Sequence, residues 1–270
     1  MLNNIPKAVD VITPDWFPKY EAKRDILYRE LVTFNTRLFT LKKLDAFPFS
    51  LFLPFYGDRI FWQTVRNALI ESIINISWRI VIDTDSNILT LRSFKNDIFQ
   101  HLRSDTKSKQ ILGRMIKLVD FEKQIASLEK KVTYIRHNFI AHLNEENQTN
   151  PEPQILINFT IRQADLETLL NTSRDLFNVL CFGEYHELWL WDYSEIVRSD
   201  SRTDIDRMLD SIARNSPVLN LPETDPELWK KHFIESSPTR IDMFNAYRIK
   251  FGLAKINFFN NPEDDLSTDA

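Results

Sequence analysis

LEKKVTYIRHNFIAHLN, residues Leu128 to Asn144, carries Leu128, Val132, Ile135 and Phe139 at steps of four and three, the spacing of one face of an α-helix. The stripe predicts a buried helical face, yet the same stretch holds Arg136, His137, Asn138 and His142. At about 100° per residue, His142 falls close to the stripe and Arg136 lies on its opposite edge, about 120° away. Asn138 stands four residues before His142, within side-chain reach, and His137 points elsewhere. His137 and His142 are five apart, about 140° around the helix, so they do not form the i, i+4 pair that binds zinc. No His-Glu-x-x-His, cysteine pair or nucleophile elbow occurs, and neither a metal nor a cofactor is expected. Spacing leaves two accounts open. Cations at a helix C-terminus offset its dipole while His142 packs as a satisfied core histidine, or the polar groups face a reactive cleft.

Working outward, the same period recurs on both sides. Ile26, Leu27, Leu31, Phe34, Leu38, Leu41 and Leu44 predict one long helix over about 19–46. Pro48, Pro54 and Gly57 then enforce a connection. Asp58 serves as N-cap for a central helix to about Val81, through Ile60, Val65, Leu69, Ile73, Ile76 and Ile80. A shorter helix is expected over 89–102 and a polar turn over 104–108. The long run 109–142 has Gly113 or Asp120 as its candidate break. QILINFTI reads as an extended lead into a helix over 163–185, because no second strand is present to pair with it. Beyond Trp191 the pattern weakens to pieces at 202–214, 226–234 and 240–253. The chain is therefore expected to comprise an N-terminal arm (1–18), a four-to-five-helix bundle (19–193), a helical C-terminal extension (194–260) and a disordered acidic tail (261–270).

Composition agrees with an all-α fold. Of 270 residues 43% are hydrophobic and only four are glycine, which disfavours hairpins and Gly-rich phosphate loops. The one cysteine, Cys181, and the lack of a charged-then-apolar leader point to a reducing cytoplasm. Apolar windows stop well short of the roughly 18 residues a membrane span needs. A formal charge of −4 argues against a bulk nucleic-acid coat, but His101 to Leu143 carries nine Lys and Arg against four Asp and Glu. That local excess fits either a solvated helix face or an RNA-facing one.

The run RHNFIAH, an arginine followed by a polar residue and closed by an alanine-histidine pair at the end of a long bundle helix, resembles the signature of the HEPN superfamily of all-α ribonucleases. Within it, the chain is most similar to the abortive-infection U-type family. The preceding FWQTVRNALIESIINISWRIVID, with Arg79 and Asp83 in its terminal Arg-x-x-x-Asp, matches as well. The resemblance covers roughly 20–190. It departs from the nucleotidyltransferase-paired HEPN toxins, which present a tyrosine two places after the histidine where this chain has Asn144.

The resemblance implies that Arg136 and His142 are catalytic, with Asn138 and His137 in support, and that a homodimer brings two such pairs into one cleft. RNA is the implied substrate and a cognate antitoxin an implied partner, with no membrane involved. The chemistry is coherent: histidine serves as acid or base near neutral pH, and arginine binds two phosphoryl oxygens through its planar fork. Two other readings stay open, a non-catalytic domain that binds RNA or a partner protein, and a helical scaffold assembled through its aromatic tail.

Overall fold

A computed structural model describes residues 7–53, 56–83, 87–103, 106–140, 161–182, 202–233 and 238–256. His142, the segment 154–160, the aromatic run after Phe182 and the acidic tail lie outside the described residues. Among those described, the chain is helical throughout, and its one β-contact is an isolated bridge between Ile12 and Leu102. The chain divides into two compact units, Met1–Lys42 with Val65–Val197, and Lys43–Thr64 with Arg198–Ala270.

In the first unit, α1 (Ala8–Val11) and the bridge lay the N-terminal segment on the bundle, where Trp16 stacks on His101 at 4.5 Å and Arg103 Nε donates to Ile12 O at 3.1 Å. Helix α2 (Phe17–Ala46), about 45 Å long, buries Leu27, Leu31, Phe34, Leu38 and Leu41 as its period predicts, whereas Ile26 is exposed. α3 (Phe49–Phe52) belongs to the second unit. α4 (Tyr56–Ser77) begins there with Ile60 and Phe61 exposed, so the expected central helix is central only over its later turns, where Ile73, Ile74 and Ile76 are buried.

α5 (Leu91–Gln100) opens on a reciprocal cap: Ser93 N donates to Thr90 Oγ1 at 3.0 Å and Thr90 N to Ser93 Oγ at 2.8 Å. The long run expected over 109–142 divides into α6 (Thr106–Val119) and α7 (Phe121–Ile135), with the break at Asp120 and not at Gly113. Asp120 is left-handed, φ 50°, a conformation Asp tolerates better than a branched residue. Asp120→Gly is expected to stabilise by up to about 1 kcal/mol, since its exposed pair with Lys123 is worth little. Asp120→Val is expected to destabilise by about 1–2 kcal/mol in thermal melts.

α8 (Gln163–Leu180) packs on α5, α6 and α7 through Leu166, Leu169, Leu170, Leu176 and Phe177. It runs antiparallel to α7: Lys131 pairs with Asp165 at 2.9 Å near one end, and Thr172 donates to Gln124 Oε1 at 2.9 Å further along. Arg92 on α5 forks onto Glu122 and Glu129 of α7, at 2.6 and 3.0 Å. α7 is thus clamped on two sides, which fixes where its C-terminal end lies.

The second unit packs α3 with α9 (Asp204–Asn215), a 3₁₀ turn (Pro217–Asn220), α10 (Leu221–Thr224), α11 (Pro226–Phe233) and α12 (Pro238–Lys250). Phe47 and Phe52 set ring edges against Tyr247, and Ser216 Oγ donates to Phe52 O at 2.7 Å. α12 stops at Gly252, φ 78°: Leu253 N reaches back to Arg248 O and Gly252 N to Ile249 O, satisfying the last carbonyls. Arg248 is fully buried, and its guanidinium donates to Leu219 O at 2.6 Å, to Ala254 O at 2.8 Å and to Glu223.

Candidate functional site

Two helices of the first unit end in the same unusual way. α4 passes into a π-helical turn, Trp78–Ile82, closed by Asp83 N donating to Trp78 O at 2.8 Å, and α7 passes into a second, Arg136–Ile140. π-turns inside helices are rare and concentrate at functional sites. Each is accompanied by a polar side chain that reaches back one turn: Ser77 Oγ donates to Ile73 O and Asn138 Nδ2 to Tyr134 O, both at 2.8 Å. A π-turn shifts the backbone donor away from the i−4 carbonyl, and the Asn138 amide takes up the acceptor at Tyr134.

The two π-turns meet at Trp78. The Arg136 guanidinium carbon lies over its ring, 4.7 Å from the centroid, and the His137 ring meets it edge-on at 5.0 Å and 86°. Trp78 Nε1 donates to Asp83 Oδ2 at 3.1 Å. Arg79 turns to α2 and pairs with Glu30. The structure therefore brings Arg136 and His137 onto one indole, although a regular wheel points them apart. A widened turn rotates by less than 100° per residue, and neighbouring side chains stay closer in azimuth. Asn138 bonds backward to Tyr134. Trp78 was missed because, within an apolar stretch, an aromatic reads as core.

Arg136 differs from several other arginines of the first unit. Arg79 holds Glu30, Arg92 holds two glutamates and Arg103 holds backbone carbonyls, whereas the Arg136 side chain makes no hydrogen bond or ion pair among the described residues. Its five side-chain N–H donors, half-buried beside an aromatic face, have no acceptor among the described residues. A planar cation so placed suits an oxyanion with two acceptor oxygens, such as the non-bridging pair of a phosphodiester.

A second group of cations lies on α6. This helix carries Lys107, Lys109, Arg114 and Lys117 with no acidic residue, and Lys109, Arg114 and Lys117 have no ion-pair partner among the described residues. Lys107, Arg114 and Lys117 fall within one exposed arc of about 80°, opposite buried Leu112. On α7 Lys123 and Lys131 are paired, and Lys130 has no ion-pair partner among the described residues. Among the described residues no group of three His, Cys, Asp or Glu is placed to hold a metal ion, and no helix is long and apolar enough to cross a membrane.

A glycine-poor helical bundle whose clamped long helix ends in an arginine-led RHNFI turn is consistent with the HEPN-like bundle that the sequence resemblance implies. No curated protein and no solved structure gave a match. The AbiU2 family model matches residues 28–214, and the chain belongs to that family of abortive-infection HEPN domains.

Proposed function

We propose that this chain is an endoribonuclease that acts in the cytoplasm as a toxin or phage-defence effector, with two copies apposing the ends of α7 so that two Arg136 and two His142 share one cleft. The observation that carries the reading is the Arg136 guanidinium held over Trp78 with no hydrogen-bond or ion-pair partner among the described residues. In the reaction, a base removes the 2′-hydroxyl proton of RNA and the oxygen attacks the adjacent phosphorus. The P–O5′ bond breaks, an acid protonates the leaving oxygen, and a 2′,3′-cyclic phosphate remains. Arg136 offsets charge on the phosphoryl oxygens. His142 is assigned the proton transfers through the family resemblance and the chemistry of imidazole. No metal enters this scheme.

Purified protein incubated with single-stranded RNA in EDTA is expected to yield cyclic-phosphate ends, and light scattering is expected to give a dimer mass. If wild type cuts no faster than His142→Ala, the enzymatic reading is lost.

The basic, acid-free surface of α6 favours a second reading, an RNA-binding domain that does not cut, or one that engages an acidic antitoxin. Both readings use α6 as a phosphate track. Replacing Lys107, Arg114 and Lys117 by Ala is expected to weaken single-stranded RNA binding and to flatten the slope of log K against log salt by about 2. An unchanged slope would remove α6 from the footprint. Salt-sensitive binding with no cleavage products would select the second reading.

A further inference from the structure

We infer that Trp78 is a positioning residue for Arg136, itself held by Asp83, so that a chain running Asp83, Trp78, Arg136 sets the phosphate-binding cation from a different helix. The inference rests on Arg136 as the group that meets phosphate.

Its first support is chemical. A flexible arginine with no fixed partner samples many rotamers, and ordering it on substrate binding costs entropy. An ion pair would order it but would occupy the N–H donors that phosphate needs. An indole face attracts the cation through its quadrupole and accepts none of those hydrogen bonds. Tryptophan is the strongest such face, and the centroid distance of 4.7 Å lies well inside the range of the interaction.

The second support is the anchoring of the indole. Trp78 begins one π-turn and Asp83 closes the same turn, its N–H on Trp78 O and its Oδ2 accepting Nε1–H. Backbone and side chain of Asp83 therefore fix the same residue. His137, edge-on to the ring, further restricts its tilt. The π-turn at Arg136 then brings the guanidinium onto the ring. Each half of the contact depends on a turn that a regular α-helix would not supply.

The test compares Trp78→Leu, Trp78→Phe and Asp83→Asn with wild type by steady-state cleavage of single-stranded RNA. Trp78→Leu removes the π-face and is expected to lower kcat about tenfold with little change in KM. Trp78→Phe keeps a face and is expected to recover most of that loss. Asp83→Asn is expected to fall between them. A Trp78→Leu enzyme with wild-type kcat overturns the inference, as does a Trp78→Phe enzyme no better than Trp78→Leu, since packing alone would then account for the loss. If Trp78→Leu fails to fold, the phenylalanine and asparagine variants decide: wild-type kcat in both refutes the relay and a graded loss supports it.

A second readout needs no cleavage. The Nε–H resonance of Arg136 is expected to carry a ring-current shift that Trp78→Leu abolishes, and to move on titration with a 2′-deoxy oligonucleotide in wild type and Trp78→Phe only. Absent cleavage with this NMR pattern present would sink the enzymatic reading and leave the positioning role standing. Equal NMR responses in wild type and Trp78→Leu would sink the positioning role.

Discussion

Arg136→Ala is expected to reduce RNA cleavage by about 10²–10³-fold, the usual loss when one preorganised donor to a developing oxyanion is removed. The same substitution is expected to change stability by less than about 1 kcal/mol, because the Arg136 side chain makes no hydrogen bond or ion pair among the described residues and its contact with Trp78 is worth about that much. That contrast makes the experiment decisive: circular dichroism and the melting curve stay near wild type while the rate collapses. Arg136→Lys restores the charge as a point and lacks the planar fork, so recovery is expected to be partial. Full recovery with lysine would reduce the role to simple charge. A fold lost with alanine would mean that Arg136 is structural.

Arg248→Met is expected to have the largest effect on stability, about 3 kcal/mol. The side chain is fully buried, and its loss leaves Leu219 O, in a buried residue, without its 2.6 Å donor and strips Glu223 of its cation. Glu223 is about half exposed, which limits its share of the loss. The Arg248 hydrogen bond holds the Glu223 carboxyl below its ordinary value, with burial opposing and the guanidinium charge assisting. A carboxyl depressed in the folded state contributes stability above its unfolded pKa and loses it as pH falls through the folded value. The gap between wild type and Arg248→Met in urea melts is therefore expected to be widest near neutrality and to narrow below about pH 4. A gap constant from pH 7 to pH 3 would assign the whole effect to the carbonyls and packing.

Long, regular elements were the legible part of this fold. The stripe from Leu27 to Leu41 and the helix beginning at Gln163 follow from period alone, and the expected pieces after 202 coincide with α9, α11 and α12 to within a few residues. Period overreached at Ile26 and Ile60, apolar residues that the structure leaves exposed, because a three-four step admits either of two adjacent positions. Asp120 and Gly113 were equal candidates for the break. Glycine is tolerated inside a helix at modest cost, whereas the left-handed residue ends one. The π-turns were illegible because a wheel assumes a constant rotation per residue. For that reason Arg136 was found by its motif, while its partner Trp78, 58 positions earlier in the chain, was not.

The interleaving of the two units governs their order of birth. Residues 43–64 leave the ribosome about 130 residues before Arg198, the start of the segment they pack against. At about 5–20 residues per second that is a wait of roughly 7–27 s. During it the aromatic segment of Phe47, Phe49 and Phe52 has no Tyr247 to cover it, while the unit bearing Arg136 is already complete in sequence by Val197. The nascent chain thus offers an uncovered aromatic segment at the moment the unit bearing Arg136 becomes able to fold.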